Sequence, residues 1–467
     1  MSFDTLGLAE PLVRALAAKG YSTPTPIQAQ SIPTLLEGRD LLGIAQTGTG
    51  KTAAFVLPSI QRMVETPKRV LPTHCRMLVL APTRELASQI ADNARGYSQF
   101  SKMSVTTVFG GTSIAKNRQD MSRGVDILVA TPGRLIDLVE QGFCNLKEIE
   151  ILVLDEADQM LDLGFIHALR KIVRMVPRKR QTLFFSATMP TSIRELASQF
   201  LTDPATVTVK PASTTAERVD QTVTFVNQTE KQALLTITLR DPAVERALVF
   251  TRTKHGADRV VKLLAGNGIA ANAIHGNKSQ PQRERALGLF KSGEVPVLVA
   301  TDIAARGIDV SGVSHVINFE LPNVPEQYVH RIGRTARAGA SGIAVAFCAD
   351  DERPFLRDIE KVTRQKVPVV PLPEDFLRQA EAIKASRVQA IGADPAPRED
   401  RPRGGRPMPR PRATHAPVKT GEAHRGGAGG GRPGGGAGGA GGGHRRGGRP
   451  GGGRSGGGRP GGNRATA

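Results

Sequence analysis

The chain has 467 residues, with 63 Lys and Arg against 43 Asp and Glu, for a formal net charge of +20. That length exceeds one compact core and predicts two or three domains at about 100–200 residues each. The charge predicts a polyanionic partner, either nucleic acid or an anionic membrane surface. Three scattered cysteines, Cys75, Cys144 and Cys348, indicate neither a disulfide framework nor a zinc site. Met1-Ser2-Phe3-Asp4 lacks the basic and apolar regions of a signal peptide, and no apolar run reaches the roughly 18 residues of a spanning helix. The expectation is a cytoplasmic protein, with no membrane partner, whose charge serves nucleic acid.

Short apolar runs predict strands at Leu41–Ile44, Arg76–Leu80, Val105–Phe109, Asp126–Ala130, Ile151–Leu154 and Thr182–Phe185. Helix-like stretches such as Glu85–Ala94 and Phe165–Val176 lie between them. The rhythm restarts after Thr206–Lys210 and a polar stretch, with strands expected at Ala247–Thr251, Val295–Ala300, Ser314–Asn318 and Gly342–Phe347. Strands alternating with helices predict βαβ units and parallel sheets. The expected division is one lobe over 1–210, a linker over 211–220, a second lobe over 221–371 and a transition segment over 372–400. From Arg401 onward the chain carries +13 of the +20 charges and 26 of the 51 glycines, with no Phe, Tyr or Trp. Such a tail has no apolar side chains to offset its ordering entropy and is expected to be disordered.

Ala45-Gln46-Thr47-Gly48-Thr49-Gly50-Lys51-Thr52 follows the first strand and precedes a helical stretch. Strand, glycine-bearing loop, Lys-Thr and helix form the P-loop layout. Glycines let backbone N–H groups approach phosphate, Lys51 neutralises β/γ oxygens and the Thr52 hydroxyl suits Mg²⁺. Ala45 stands where the general pattern has its first glycine. The strand Ile151–Leu154 ends in Asp155-Glu156-Ala157-Asp158, at the end where α/β sheets bind ligands. Asp155 suits Mg²⁺ and Glu156 suits an attacking water. Alone, that acidic turn would equally suit a solvated helix cap; the P-loop upstream favours catalysis.

Together these motifs resemble the DEAD-box helicases of superfamily 2 over roughly residues 3–339. Gly20-Tyr21-Ser22-Thr23-Pro24-Thr25-Pro26-Ile27-Gln28, with Phe3 upstream, is similar to the family's Q motif. The resemblance implies two tandem RecA-like parallel-sheet lobes, an α/β fold, followed by a disordered Arg/Gly-rich C-terminal tail. It also implies ATP and Mg²⁺ as cofactors, with Phe3, Tyr21 and Gln28 at the adenine and Asp309 at the ribose. A glutamine amide can bond bidentately to adenine N6 and N7. First-lobe RNA contacts would be Pro82, Thr83 and Arg84, Gly111, and Thr131 with Arg134. Those of the second lobe would be Gln280, Arg283 and Thr301. Ser186, Thr188 and His330 would couple the lobes. Within His330-Arg331-Ile332-Gly333-Arg334-Thr335-Ala336-Arg337, arginines recur every third residue, one face if helical. The resemblance makes Arg334 and Arg337 γ-phosphate ligands, with Arg337 the arginine finger. The family usually has Gly at position 336, so a left-handed backbone there would strain this alanine.

The implied activity is RNA-stimulated ATP hydrolysis coupled to lobe closure and local, sequence-tolerant duplex separation. The basic tail makes the chain most similar to the bacterial RhlE-type branch. It reads as an RNA tether, or as a solubilising segment. A DNA helicase and an RNA chaperone with an idle motor are the rival readings. RNA is the expected partner, together with proteins of ribosome assembly or RNA decay, between which the motifs do not choose.

Overall fold

The computed structural model describes residues 2–46, 48–209, 219–305, 308, 310, 312–336 and 342–392. The N-terminal lobe opens with a 3-10 turn, Phe3–Leu6, then α1 (Glu10–Ala18), α2 (Pro26–Leu36), β1 (Leu41–Ile44) and α3 (Lys51–Glu65). It continues with β2 (Cys75–Leu80), α4 (Arg84–Tyr97), β3 (Val105–Val108), α5 (Ile114–Met121), β4 (Val125–Ala130) and α6 (Pro132–Glu140). It ends with β5 (Ile151–Leu154), α7 (Ala157–Asp162), α8 (Ile166–Met175), β6 (Gln181–Ser186), α9 (Thr191–Phe200) and β7 (Ala205–Thr208).

Among the described residues these strands form a seven-stranded sheet in the order β3-β4-β2-β5-β6-β1-β7, parallel at every pairing. Every residue of β2, β5 and β6 is buried, because helices cover both faces of a parallel sheet. One apolar cluster under Phe55, Val79 and Phe185 fills one face, and another around Leu78, Leu152 and Phe184 fills the other. Gly43 has a packing reason: a Cβ there would sit 2.5 Å from the Phe185 ring. The order places the C-terminal ends of β5, β6 and β1 side by side, which brings the acidic turn, Ser186 and the glycine loop to one crevice.

The C-terminal lobe holds β8 (Val219–Phe225), α10 (Lys231–Thr238), β9 (Ala247–Thr251), α11 (Lys254–Ala265), β10 (Ala271–Ile274) and α12 (Gln280–Ser292). After these come β11 (Val297–Thr301), α13 (Asp302–Ala305), β12 (His315–Asn318), α14 (Pro325–Ile332), β13 (Gly342–Cys348), α15 (Arg353–Thr363) and α16 (Phe376–Gly392). Its strands form a parallel six-stranded sheet ordered β10-β11-β9-β12-β13-β8. Both lobes are RecA-like. A fully buried ion pair, Lys231–Glu352, ties the start of α10 to the ends of β12 and β13. The Lys231 ammonium also donates to the carbonyls of Phe319 and Phe347 at 3.0 Å each, and Glu352 accepts from the N–H groups of Leu321 and Ala349.

The expected strands are present, shifted by one or two residues at several ends. Three strands were not expected: β7, an edge of the first sheet, and β8 and β10, the two edges of the second. Edge strands are covered less completely, so their sequences, ATVT, VDQTVTF and ANAI, are less apolar. The transition segment expected over 372–400 contains α16, which packs Phe376, Ala380 and Ile383 into the second lobe's core. That lobe therefore extends past residue 371. The chain from 393 onward, including the whole basic tail, lies outside the described residues, as does the linker 211–218. No helix among the described residues is long and apolar enough to cross a membrane.

Candidate functional site

The glycine loop leaves β1 and turns into α3. Gly48 and Gly50 take left-handed backbone, with φ +85° and +93°, while Ala45 does not. An alanine therefore serves where the general pattern has glycine. The carbonyl of Ala45 accepts a 3.1 Å hydrogen bond from Lys51 Nζ, and the Thr49 hydroxyl closes the loop onto the Gln46 carbonyl at 2.8 Å. Thr52 follows in the first turn of α3, where unpaired N–H groups and the helix dipole favour an anion. Thr47 lies outside the described residues.

Lys51 Nζ also lies 3.8 Å from Asp155 Oδ1, both side chains being buried. That oxygen has no hydrogen-bond donor. Burial pushes the Asp155 carboxyl up to about 6; Lys51 opposes the shift and Glu156 adds to it. A buried carboxylate oxygen without a hydrogen-bond donor is a hard ligand of the kind that fits Mg²⁺, and the Thr52 hydroxyl at the start of α3 is of the same kind. Glu156 is buried beside it in left-handed backbone, φ +54°. Such backbone costs a non-glycine residue about 1–3 kcal/mol and clusters at functional sites. It turns the chain from β5 into α7 and sets the directions of the two carboxylates apart.

The fourth residue of this turn, Asp158, binds the segment that follows β6. Asp158 Oδ2 accepts from the N–H groups of Ala187 (3.1 Å) and Thr188 (3.0 Å) and from the Thr188 hydroxyl (3.0 Å). The Ser186 hydroxyl donates to the Thr188 carbonyl at 2.7 Å. The acidic turn thus grips the segment after β6, and no spacing rule would have found that contact.

Gln28 joins two motifs. Its Oε1 accepts from the Thr25 N–H at 2.9 Å, and its Nε2 donates to the Gly50 carbonyl at 3.1 Å. A Cβ on Gly50 would stand 2.5 Å from Gln28 Nε2 and 2.9 Å from Thr25 Oγ1. Gly50→Ala therefore adds both this clash and about 1–2 kcal/mol of left-handed strain. It is expected to weaken ATP binding about tenfold and to narrow the preference for ATP over GTP, as read by titration with fluorescent nucleotide analogues. Unchanged affinity and selectivity would contradict it. Tyr21 is exposed beside this motif. Phe3, expected at the cofactor, is instead buried in the lobe's core with Leu6 and Ile27.

A second cluster lies at the N-terminus of α4. Arg84 runs along Gly110 and Gly111, so closely that a Cβ on Gly111 would be 2.2 Å from its Nη1. Arg134 donates to the Thr112 carbonyl (2.8 Å) and Asn117 Oδ1 (3.2 Å). Burial lowers the Arg84 pKa, and the positive charges of Arg283 and Arg134 lower it further against Glu85. Three guanidiniums near enough for Arg283 and Arg134 to act on Arg84 suit phosphate groups. Thr83 caps α4 by accepting from the Leu86 N–H, Pro82 and Thr131 are buried, and Thr301 ends β11. Gln280 Nε2 donates to Glu284 at 2.9 Å. Arg283 crosses from the second lobe to Glu85, Nε at 2.7 Å and Nη2 at 2.6 Å. Glu85, like Asp158, was not singled out from sequence.

The arginine run departs from the expectation of one helical face, because α14 stops at Ile332 and Gly333 caps it. Arg331 is buried and structural. It forks onto Asp302 at 2.5 and 2.7 Å, donates to Asn318 Oδ1 (3.0 Å) and the Glu320 carbonyl (2.6 Å), and lies 5.0 Å from the Phe250 ring centre. Arg334 donates to the Ile308 and His330 carbonyls at 3.0 and 3.2 Å. His330 lines a small cleft of the second lobe with Asp302, Gln327 and Arg334. Arg337 and Asp309 lie outside the described residues.

Ala336 has φ +52°, so the alanine carries the strain that the usual glycine would avoid. Ala336→Gly should relieve about 1–2 kcal/mol and cost about 0.5–1 kcal/mol of chain entropy. The net expectation is a rise of about 2–4 °C in the unfolding temperature of the C-terminal lobe, read by differential scanning calorimetry. A fall would show that the strain is relieved elsewhere.

Residues 25–196 match the DEAD/DEAH box helicase family and residues 230–339 the helicase conserved C-terminal domain. The chain is 44% identical over 391 residues to the RNA helicase CrhR of Synechocystis, covering 83% of this chain and 77% of that one. It is 42% identical over 366 residues to the DEAD-box ATP-dependent RNA helicase CshA of Geobacillus kaustophilus, covering 78% and 77%. A structure of Saccharomyces cerevisiae Dbp5 bound to RNA and ADP BeF3 superposes with a TM-score of 0.72 at 31% identity, covering 83% of this chain and 99% of that one. With the P-loop, acidic turn and arginine clusters placed as described, the chain belongs to the DEAD-box family of ATP-dependent RNA helicases.

Proposed function

We propose that this helicase hydrolyses ATP when RNA and nucleotide together draw its lobes closed, and that the clusters above divide the work. Gln28 and Tyr21 select adenine, and Lys51 and the N–H groups of the glycine loop, Gln46 to Gly50, hold the phosphates. Thr52 and Asp155 would hold Mg²⁺, which when bound supplies charge neutralisation at the phosphates. Glu156 orients water and accepts its proton, while Arg334 and Arg337 approach from the second lobe, which also offers Asp309 to the ribose. Arg84 and Arg134, with Pro82, Thr83, Gly111, Thr131, Gln280, Arg283 and Thr301, follow the sugar-phosphate backbone, which carries no sequence information.

The observation that carries this reading is the single turn from residue 155 to 158. Its first carboxylate faces Lys51, and its last holds Ala187 through one hydrogen bond and Thr188 through two. A change at phosphate is thereby felt after β6, where Ser186 and Thr188 couple to His330. Ligands that both favour closure must strengthen each other's binding. Steady-state ATP hydrolysis by the full chain without nucleic acid, with RNA and with DNA tests the reading. Stimulation by RNA alone is expected; equal stimulation by DNA, or none by either, would defeat it.

The relatives reported above carry CrhR and CshA names, so the RhlE-type branch rests on the basic tail. That tail, with +13 charges, is read as an RNA tether in a bacterial cytoplasm, where ribosome-assembly or RNA-decay proteins are its expected company. Deleting residues 401–467 should weaken RNA binding and flatten its salt dependence, since each lost phosphate contact removes about 0.7–0.9 from the log–log slope. An unchanged slope would leave the tail merely solubilising.

A further inference from the structure

On the N-terminal lobe, next to the Arg84–Arg134 cluster, lies a groove of about 580 Å³ to which the reading above gives no task. It is lined by Ile114, Ala115, Arg118 and Gln119 of α5, by Ser122 at its C-terminal cap and by Phe143. Only Asn117 and Met121 of α5 are buried, so the helix shows most of its surface to solvent. The Arg118 guanidinium carbon stands 5.1 Å from the Phe143 ring centre, and Ile114 is exposed. Lys116, Arg118 and Arg123 outnumber Asp120 on this helix and just beyond it, so the rim favours an anion.

Two facts argue for the occupant. First, the groove is continuous with the guanidinium cluster: Arg134 bonds both the Thr112 carbonyl before α5 and Asn117 within it. Asn117, which Arg134 holds, directly precedes Arg118, whose guanidinium lies against Phe143. Second, the apolar surface is short. A docked helix needs anchors repeated over two turns, whereas Ile114, Ala115 and Phe143 offer one flat face with a cation above it. An aromatic ring beside an arginine is what a nucleobase and its phosphate require.

We propose that this groove takes a nucleobase of the RNA strand as it runs past the Arg84–Arg134 cluster, stacked on Phe143, with Arg118 turned from the ring onto the adjoining phosphate. The proposal rests on the RNA reading of that cluster and extends the footprint by one stacked base. It also gives the chain an aromatic platform, which the basic tail lacks.

The test compares the full chain with its Phe143→Ala, Arg118→Ala and Ile114→Asp variants, each with a non-hydrolysable ATP analogue. Binding is measured to oligouridylates of about 6 and about 16 nucleotides, in salt high enough to suppress the tail's electrostatic contribution. Ile114 and Arg118 are exposed, so their variants guard against a folding defect at the partly buried Phe143. The longer strand should bind about tenfold more weakly to each variant, with binding of the shorter strand unchanged. Crosslinking of 5-iodouridine RNA to the α5–Phe143 surface should fall with it. Parent-like binding of the longer strand by all three variants would overturn the proposal and leave the groove to a protein partner. Equal loss for both strands would also overturn it, by placing the defect in the guanidinium cluster. An unmodified chain that bound neither strand would overturn it together with the RNA reading beneath it.

Discussion

Glu156→Gln is expected to lower RNA-stimulated ATP turnover by about 10²–10⁴-fold while leaving nucleotide and RNA bound. The amide is nearly isosteric and can occupy the same left-handed backbone at φ +54°, so the turn between β5 and α7 should survive. An amide can still hydrogen-bond water, but it cannot accept the proton that water must lose. Asp155 and Lys51 are untouched, so the affinity for the Mg²⁺–ATP complex should remain near that of the parent. Single-turnover hydrolysis beside equilibrium binding separates these two quantities. Turnover within a few-fold of the parent would remove Glu156 from the chemistry. RNA remodelling that persisted in full without turnover would favour the chaperone reading over the motor.

Arg331→Ala should do something different, although it sits three residues from Arg334. The guanidinium is buried, and it holds Asp302, Asn318, the Glu320 carbonyl and the Phe250 face at once. Those groups come from the ends of β9, β11 and β12, so one side chain braces three strands. Removing one partner of a buried ion pair costs about 3–5 kcal/mol. Asp302 keeps some access to water, which favours the lower end, about 3 kcal/mol. Lysine offers a point charge instead of a planar fork and should recover less than half of that loss. Chemical denaturation, followed through the transition of the C-terminal lobe, measures both. A substantial loss of stability from alanine but none from lysine would show that charge alone suffices. A loss of turnover with unchanged stability would make Arg331 a phosphate ligand after all.

The sites that were legible in the sequence share one property: their chemistry needs particular residue types close together in the chain. A phosphate cradle requires glycines ahead of Lys51 and Thr52, and the acid cluster requires a strand running into Asp155 and Glu156. Central strands were legible for a similar reason, since burial on both faces demands unbroken apolar runs. The edge strands β7, β8 and β10 escaped because half-covered strands need no such run. The helix α16 escaped because three residues, Phe376, Ala380 and Ile383, suffice to dock it, within a stretch that otherwise resembles a polar linker.

By itself the sequence determined the α/β class, the two-lobe division, the phosphate and acid motifs, and a tail too poor in apolar groups to bury anything. Only the tertiary structure decided that Phe3 supports α2 from the core, that Asp158 grips Thr188, that Arg283 reaches Glu85, and that Arg331 is a brace while Arg334 lies beyond the end of its helix. The physical reason is that all four are contacts between residues far apart in the chain. For Asp158 and Arg331 they depend on which strand ends a parallel sheet sets side by side, and that order, β5-β6-β1 in one lobe and β11-β9-β12 in the other, is a property of the assembled sheet and of no local stretch of chain; for Phe3 and Arg283 they depend on how a terminal turn meets α2 and how one lobe meets the other.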